Sequence, residues 1–355
     1  MHFPLRYAVI GTGGIANHHL KLVLEREGVE VVGLSDPSAE NLARAGKQHP
    51  KAVRHCEPVA MLKKAKPDLV SICSPNKFHC ALVLAALAAG AHVICEKPMA
   101  MTLGEARRME AARRRAHRFG LINFSYRNCA SFRFAREMIA AGELGTIQRV
   151  NAVYYQSWLG APSARYSWRN DKSVAGFGAL GDLGVHMIDA VRFITGLDYL
   201  RAVGLAQVLV PRKKDPSGKM RKVTADTNAA FLTEFEGGVI GTFETSQVAV
   251  GYGNHHRIEI SGTRGTIAVL SSEERQVWMN VGDRLSHYGT WTTSLPAVSI
   301  PSTFDASQAP SSPGVLVDVI RGKKHPYPTF EDGVQAQAVL EAILRSMKTG
   351  RWERT

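Results

Sequence analysis

Three side chains that can hold a proton or a ligand lie within one short apolar stretch, ALGDLGVHMIDAVRF at 179–193. Asp182 and His186 are four residues apart, so on a helix they share one face, and Asp189 follows about one turn later. An imidazole can accept a proton near neutral pH, and a carboxylate can orient it or share a metal ion with it. The same spacing also fits a structural role, in which Asp182 caps a helix N-terminus and His186 packs in the core.

Polar residues also follow two apolar runs in the first half of the chain. Glu96 and Lys97 come at the end of a run that closes in CEKPM, and CSPNKFH at 73–79 closes the preceding run. In open α/β sheets, ligands bind at the carboxyl edge of the strands, where these residues would lie. Lys97 is therefore a candidate catalytic group, against the commoner alternative of a solvated charge. The side chains expected to face a ligand at this edge are Ser74, Pro75, Asn76, His79, Glu96 and Lys97.

A zinc ion shared by Asp182 and His186 is disfavoured for two reasons. No third ligand with a convincing pattern accompanies the pair, and Lys97 would be a poor neighbour for a cation. We therefore predict no metal site. Asp189 is assigned to structure, as a partner on the helix surface or at an interface.

A glycine-rich turn near the N-terminus predicts a dinucleotide-binding site. The first strand-like run ends in GTGGIA, which has the pattern G-x-G-x-x-A and opens a helix. Glycine allows the tight turn and the close approach of a pyrophosphate, and the helix N-terminus offers free N–H groups and a positive dipole end. The residues expected to contact the nucleotide here are Gly11, Thr12, Gly13, Gly14, Ile15 and Ala16.

An acid at the end of the second strand-like run indicates which dinucleotide is preferred. Asp36 lies 23 residues beyond Gly13 and can accept hydrogen bonds from the ribose hydroxyls. Its carboxylate would repel a 2′-phosphate, and residues 37–40 supply no cation to hold one. NAD(H) is therefore predicted as the cofactor and NADP(H) is disfavoured, with Arg44 as the nearest cation along the following helix.

These residues need a scaffold, and the order of apolar patterns predicts one. The first half alternates short strand-like runs with helical repeats, which is typical of a Rossmann doubly wound parallel sheet. After about Gly145, longer strands separated by glycines predict an α+β domain with a large, mostly antiparallel open sheet. We predict a dinucleotide-binding domain over 1–125 and a substrate-binding and oligomerisation domain over 126–355, whose last helix could pack on either domain. The five strands expected in the first domain are Leu5–Ile10, Val29–Leu34, Asp68–Cys73, Ala91–Cys95 and Leu121–Ser125.

Composition narrows the class of protein. The 355 residues are 45% hydrophobic, and no stretch approaches the length of a membrane span, so neither a membrane partner nor a secretory leader is expected. The net charge of +13 comes from clusters without interleaved aromatic residues, which favours solvated faces over nucleic-acid binding. Five cysteines without paired zinc spacing indicate thiols in a reducing cytoplasm.

Taken together, GTGGIA, the acid Asp36, SPNKFH, CEKP and GALGDLGVHMID resemble the Gfo/Idh/MocA oxidoreductases. The individual motifs are moderately specific, but their order and spacing are highly specific, and the resemblance runs to the C-terminal FEDGVQAQAVLEAILRS. It implies NAD(P)-dependent oxidation of sugars, cyclitols and related polyols. It also implies that Lys97, Asp182 and His186 meet beside the nicotinamide, where His186 accepts the hydroxyl proton, Lys97 hydrogen-bonds the reacting oxygen and Asp182 orients both.

The resemblance assigns further residues to the site. Asn123, Trp168 and Arg169 match positions that line the nicotinamide pocket, and Tyr126 and Arg127 begin the loop that carries substrate contacts. This chain has Asn128 and Cys129 where many relatives place an aromatic residue and then a proline after the arginine, so the shape of that loop is open. The residues expected to bind substrate are Lys97, Tyr126, Arg127, Trp168, Asp182 and His186.

Three functions are compatible with these residues. The leading one is an NAD-dependent dehydrogenase acting on a secondary hydroxyl of a sugar, glycoside or cyclitol. A redox-neutral glycoside hydrolase that keeps NAD bound would need the same lysine and histidine for its first step. A non-catalytic NAD-binding regulator would need the nucleotide site alone, so retention of Lys97, Asp182 and His186 argues against it. A homodimer or homotetramer is also expected, because the one inserted helix cannot cover both faces of the second sheet.

Overall fold

The computed structural model describes residues 4–161, 163–281, 295–305 and 310–355, which form two compact units. The first unit contains Met1–Asn123 and Pro310–Gln337, and the second contains Phe124–Ala309 and Ala338–Thr355. Residues 310–337, which fall within the predicted second domain, are thus part of the first unit.

The first unit is built on a six-stranded sheet in which every neighbouring pair is parallel, in the order β3-β2-β1-β4-β5-β6. Its strands are β1 (Leu5–Ile10), β2 (Val29–Ser35), β3 (Val53–His55), β4 (Leu69–Ile72), β5 (His92–Cys95) and β6 (Gly120–Ile122). The helices between them are α1 (Gly14–Leu24), α2 (Ala39–Gln48), α3 (Pro58–Ala65), α4 (His79–Ala88) and α5 (Leu103–Arg115). This order reverses between β1 and β4, which is the crevice where dinucleotides bind in such sheets. The predicted Rossmann fold is confirmed.

The central strands are formed by apolar runs that the sheet buries on both faces. Every residue of β4 is buried, as is nearly all of β1, which explains why these strands have no polar alternation. The sequence prediction missed β3, because its three residues lie at the partly exposed edge of the sheet and make no apolar run.

The second unit is built on a nine-stranded sheet in the order β16-β15-β14-β13-β7-β12-β11-β8-β17. Among the described strands of this sheet, only β7 and β12 pair in parallel, so the predicted mostly antiparallel sheet is confirmed. The strands are β7 (Ile147–Gln156), β8 (Tyr199–Gln207), the separate hairpin β9 (Arg212–Lys214) and β10 (Met220–Lys222), β11 (Asn228–Phe235), β12 (Ile240–Ser246), β13 (Asn254–Gly262), β14 (Gly265–Leu270), β15 (Gln276–Val281), β16 (Ala297–Ser299) and β17 (Glu353–Arg354). The remaining helices are α6 (Ala130–Ala140), α7 (Lys172–Ala175), α8 (Val185–Thr195), α9 (Val315–Ile320) and α10 (Phe330–Thr349).

The quoted stretch at 179–193 forms a π-helical turn, Leu180–Gly184, that continues into α8. Nearly every residue of α8 is buried, because the helix packs on α6 and on strands β7 and β13. A polar side chain in this helix must therefore form its hydrogen bonds with other groups inside the unit.

One described segment, 172–195, is long and apolar enough by composition to cross a membrane, with a mean hydropathy of 1.3. The sequence prediction did not single out this segment, which meets the criterion by length and composition only. The most apolar window of the segment is 83% buried inside the unit, as expected of a core helix.

Candidate active site

The glycine turn of the first unit leaves open space over its backbone. Gly11 has φ +86°, and a Cβ there would lie 2.7 Å from the Cys73 carbonyl, so the position accepts only glycine. By contrast, apart from the adjoining backbone, no atom of the described residues lies within 4 Å of the Cβ that Gly13 or Gly14 would carry. Gly13 precedes α1 without any side-chain cap, and while the Ala16 N–H donates to the Gly13 carbonyl at 3.2 Å, no side-chain cap occupies the N–H groups of Gly14 and Ile15. The turn therefore fits the pyrophosphate of a dinucleotide.

Asp36, the acid predicted to accept hydrogen bonds from the ribose hydroxyls, is held in place at this turn. Asp36 is 7% exposed and accepts hydrogen bonds from the Thr12 N–H at 2.7 Å and the Ser38 N–H at 2.8 Å. Arg44 also reaches the turn, since its Nη2 donates to the Thr12 carbonyl at 3.0 Å. The sequence placed this arginine only further along the helix, and the structure brings it to the residue that Asp36 contacts.

A buried histidine joins the two turns at the carboxyl edge of the sheet. The ring nitrogens of His79 lie 2.9 Å from the Ser74 carbonyl and 3.0 Å from the Pro98 carbonyl. Burial lowers the pKa of His79, and the ring is inaccessible to solvent. His79 thus positions the turns that carry Ser74 and Lys97, while Asn76, also buried, opens the short helix before α4.

Behind Lys97 lies a buried polar network that sequence reasoning did not find. His19 Nε2 lies 2.8 Å from Glu96 Oε1, and Asn123 Nδ2 donates to the same oxygen at 2.6 Å. The other ring nitrogen of His19 lies 3.1 Å from Ser71 Oγ, which accepts from Tyr7 Oη at 2.7 Å. The only signal in the sequence was a histidine on the inward face of α1, which alone does not identify its partner.

The network fixes the charge state beside Lys97. Burial would raise the pKa of Glu96, but the hydrogen bond and charge of His19, the charge of Lys97 and the Asn123 amide together lower it to about 2. Glu96 is therefore a carboxylate at any working pH. No described residue donates to Asn123 Oδ1, which is buried. This orphaned acceptor fits a ligand that brings its own donor, as predicted for a residue lining the nicotinamide.

The sequence allowed two roles for Asp182, a helix cap or a group that acts on a proton or ligand, and the second unit gives the capping role to another residue. The N–H groups of Gly178 and Leu180, at the start of the π-helical turn, donate to the carboxylate of Asp226 at 2.7 and 2.8 Å. Asp226 therefore fills the capping role that the structural interpretation gave to Asp182. The half-buried Asp182 instead accepts a hydrogen bond from Gln247 Nε2 at 2.8 Å, which holds its carboxylate in one orientation.

His186 is held by aromatic side chains at the start of α8. Its ring is 7% exposed and packs edge-to-face on Tyr126, with ring centroids 4.8 Å apart, and on Phe124 at 6.5 Å. These contacts restrict the orientation of the imidazole. The structure thus brings together Asp182, His186 and Tyr126, three residues predicted to form the site.

A second histidine near Tyr126 has a different environment. His256 is fully buried, stacks on Tyr154 at 4.7 Å and packs edge-to-face on Tyr126 at 4.8 Å. Neither of its ring nitrogens has a hydrogen-bond partner among the described residues, and burial lowers its pKa to about 3. His256 is therefore uncharged at neutral pH and supports the two tyrosine rings from behind.

Arg127 and Asp189 pair with each other in the interior. Arg127 Nε donates to Asp189 Oδ2 at 2.9 Å and Nη2 donates to Oδ1, with Arg127 7% and Asp189 4% exposed. The prediction that Asp189 lies on the helix surface or at an interface is wrong, because Arg127 draws it into the core. The Arg127 guanidinium neutralises this carboxylate and lies 5.1 Å from the Phe193 ring centroid, and its predicted contact with substrate stays a prediction.

Trp168 and Arg169 lie on a short helical turn with a capping box formed by Ser167 and Asn170. Both side chains are half-buried, and the Arg169 guanidinium lies 4.5 Å from the Trp168 ring centroid. Within the described residues, no group of three or more His, Cys, Asp or Glu side chains is placed to share a metal ion. Lys97 and the pair Asp182–His186 belong to different units, and their meeting remains a prediction.

Comparison with known proteins agrees with both units. Residues 5–124 match an oxidoreductase family with an NAD-binding Rossmann fold, and residues 132–268 match the GFO/IDH/MocA C-terminal domain. A levoglucosan dehydrogenase of Pseudarthrobacter phenanthrenivorans is 29% identical over 81% of this chain and 80% of its own length. A D-glucoside 3-dehydrogenase of Escherichia coli K12 is 35% identical over 56% of each chain. The crystal structure of an oxidoreductase domain protein from Kribbella flavida superposes with a TM-score of 0.88 at 28% identity, covering 100% of this chain and 99% of that one.

Proposed function

Because the chain belongs to the Gfo/Idh/MocA family of NAD-binding oxidoreductases, which act on CH–OH donors, we propose that it oxidises a secondary ring hydroxyl of a sugar, glycoside or cyclitol. The main support is the oriented pair in the second unit, where Gln247 fixes the Asp182 carboxylate and Tyr126 packs on the imidazole of His186. A protein that only sensed NAD would have no use for an oriented acid and base at this place.

Each residue has a separate task in this proposal. The glycine turn and Asp36 would hold NAD+, which would supply the acceptor for the hydride that leaves the carbon carrying the hydroxyl. His186 takes the hydroxyl proton, Asp182 orients the hydroxyl toward the imidazole, and Lys97 donates a hydrogen bond to the reacting oxygen. Glu96, ionised and held by His19, is the carboxylate next to Lys97 in the chain.

The first substrates to test are D-glucosides, because one relative is named a D-glucoside 3-dehydrogenase. A panel of aldoses, inositols and glycosides with NAD+ should yield absorbance from NADH for at least one ring. Release of an aglycone without NADH would instead identify the redox-neutral glycosidase. NAD binding without any turnover across the panel would contradict both enzymatic functions and favour the regulator.

Cofactor preference provides a prediction for the first unit. Replacing Asp36 with serine should raise NADP(H) affinity relative to NAD(H) by roughly tenfold or more, because a like charge facing the 2′-phosphate costs several kcal/mol. Arg44, which the structure places at the same turn, is then the cation available to the phosphate. Fluorescence titration of both cofactors measures the ratio.

The double variant D36S/R44A provides the matched control for this prediction. It removes the repulsive carboxylate but also the cation, so it should show a smaller gain for NADP(H) than D36S alone. Wild-type protein that binds NADP(H) as tightly as NAD(H) would contradict the assigned preference.

We also infer self-association through the outer face of the nine-stranded sheet. Leu205, Leu232 and Ile240 lie on the neighbouring strands β8, β11 and β12 and are 75%, 42% and 57% exposed. The strand register and the alternation of side chains place all three on one face. A contiguous exposed apolar patch of this kind is typical of an interface between subunits.

Light scattering at micromolar concentration should therefore give a dimer or tetramer mass. Leu205→Glu should shift the population toward monomer, because a buried unpaired charge opposes association. Val59→Glu, which changes an apolar residue on α3 that is 51% exposed, serves as the control and should leave the mass unchanged. A monomeric wild-type protein would contradict the inference.

Five free thiols support the expected reducing compartment, and we propose a cytoplasmic location. Cys73, Cys80 and Cys95 are buried, and burial raises the pKa of the Cys73 and Cys95 thiols, so these cysteines serve packing.

A further inference from the structure

A row of polar side chains leads from the aromatic contact of His186 to an exposed tryptophan. The tyrosine–amide row consists of Tyr126, Tyr154, Gln156 and Asn254, which all belong to the second unit. Tyr154 Oη donates to Asn254 Oδ1 at 2.7 Å, and Asn254 Nδ2 donates to Tyr126 Oη at 3.0 Å. Gln156 Nε2 donates to Asn254 Oδ1 at 2.7 Å, and its own Oε1 accepts from Trp158 Nε1 at 2.6 Å.

The row continues along β7 to Trp158. Tyr126 contacts His186 at one end, with ring centroids 4.8 Å apart. Tyr154 and Gln156 point to the same face of β7, because side chains alternate along a strand, and Trp158 follows two residues later. At roughly 3.5 Å per extended residue, the Cα of Trp158 lies up to about 14 Å from that of Tyr154. A ring held beside His186 would therefore leave Trp158 for a second group of the same ligand.

Trp158 is exposed although the turn that carries it is firmly held. Its side chain is 50% exposed, while its neighbour Leu159 is 1% exposed and offers its carbonyl to the Nζ of the buried Lys213. Gly160 donates to the Ser157 carbonyl at 2.8 Å, and a Cβ on Gly160 would lie 3.1 Å from the Val248 side chain. Because this turn is fixed, the exposed indole is pre-organised and would lose little conformational entropy on binding a ligand.

The indole is also oriented by its own hydrogen bond. Gln156 holds the indole N–H, so the polar edge is satisfied and the ring presents apolar surface to solvent. Hydroxyls and amides in the row match the hydroxyls of a sugar, and an aromatic face matches the C–H face of a second sugar or an aryl ring.

We propose that Trp158 and the tyrosine–amide row form a subsite for the second ring of a two-ring glycoside, whose first ring is oxidised beside His186. This inference rests on the proposed function for the location of the reacting ring. The second ring stacks on Trp158, and Gln156 and Asn254 hydrogen-bond the glycosidic region between the rings.

Binding to the NADH-loaded protein tests the subsite without requiring turnover. Calorimetric titrations would compare methyl D-glucopyranoside, phenyl D-glucopyranoside and the disaccharide cellobiose. The two-ring ligands should bind about tenfold more tightly than the methyl glycoside, since stacking on an aromatic side chain is comparable with the stacking of a base. Trp158→Ala should reduce this affinity ratio to about one and leave the affinity for the methyl glycoside unchanged. Trp158→Phe should retain most of the difference between two-ring and one-ring ligands.

Trp352→Ala is the matched control, because Trp352 is also partly exposed but lies beside β17, four strands away from β7. It should leave all three affinities unchanged.

If cellobiose alone binds more tightly than the methyl glycoside, the second ring is a sugar, and if the phenyl glycoside alone does so, the ring is an aryl aglycone. Equal affinities for one-ring and two-ring ligands in the wild-type protein, no detectable binding of any glucoside, or a ratio unaffected by Trp158→Ala would overturn the subsite. A Trp158-dependent ratio without NADH production from NAD+ would retain the subsite and contradict the proposed dehydrogenase.

Discussion

Replacing His186 with alanine is expected to lower turnover by about 10²–10⁴-fold, the usual contribution of a general acid–base group. The imidazole is the proton acceptor in the proposed reaction, and the neighbouring His256 cannot replace it, because His256 is buried and its pKa is lowered to about 3. NAD+ affinity should stay near the wild-type value, since the glycine turn and Asp36 lie in the other unit. Steady-state kinetics and NAD+ titration on the same preparation measure both quantities.

Other variants separate catalysis from packing. Lys97→Ala should lose turnover on a similar scale, whereas His325→Ala, which removes an exposed histidine, should lose none. His186 packs against Tyr126, so some decrease in Tm is expected for His186→Ala, and His186→Gln should restore part of the volume. Full turnover per folded molecule in either His186 variant would remove the histidine from the mechanism. Loss of wild-type activity on adding a chelator would instead indicate a metal site.

The parts of the site that the sequence predicted are those that depend on local chain geometry. Gly11 to Ala16 and Asp36 lie on consecutive elements of one βαβ unit, so a strand, a glycine turn and an acid at the next strand end suffice to place them. The resemblance then supplied Lys97, Asp182 and His186 as a set. What it could not supply was the orientation of each side chain, because that depends on contacts such as Gln247 with Asp182, which are 65 residues apart.

The parts of the site that the sequence did not predict all involve polar groups that meet through tertiary packing. Glu96 contacts His19 and Asn123, which lie 77 and 27 residues away along the chain. Nothing in the local pattern of α1 indicates which acid His19 contacts. Asp226 likewise takes the cap position 46 residues from Leu180. A polar residue in an apolar helix predicts that a partner exists, since buried polar groups are hydrogen-bonded, but not which one.

Arg127 and Asp189 illustrate the consequence of such a pairing for stability. Asp189→Ala is expected to reduce the free energy of unfolding by about 3–5 kcal/mol, because it leaves the Arg127 guanidinium buried without its carboxylate. The exposed pair Arg201–Glu234 provides the contrast, since side chains that are 51% and 29% exposed keep their hydration when the partner is removed. Glu234→Ala should therefore cost about 0–1 kcal/mol.

Denaturant unfolding at equilibrium measures these differences, and a double replacement identifies their origin. In R127M/D189L both charges are exchanged for apolar side chains, so no unpaired charge remains and most of the stability should return. If Arg127 and Asp189 serve stability only, R127M/D189L should also keep turnover within a few fold of wild type. If Arg127 contacts substrate instead, the double variant would be stable but would show a large increase in KM. A loss below about 1 kcal/mol for Asp189→Ala would show that the guanidinium reaches water in solution, and would return Arg127 to the residues available to a ligand.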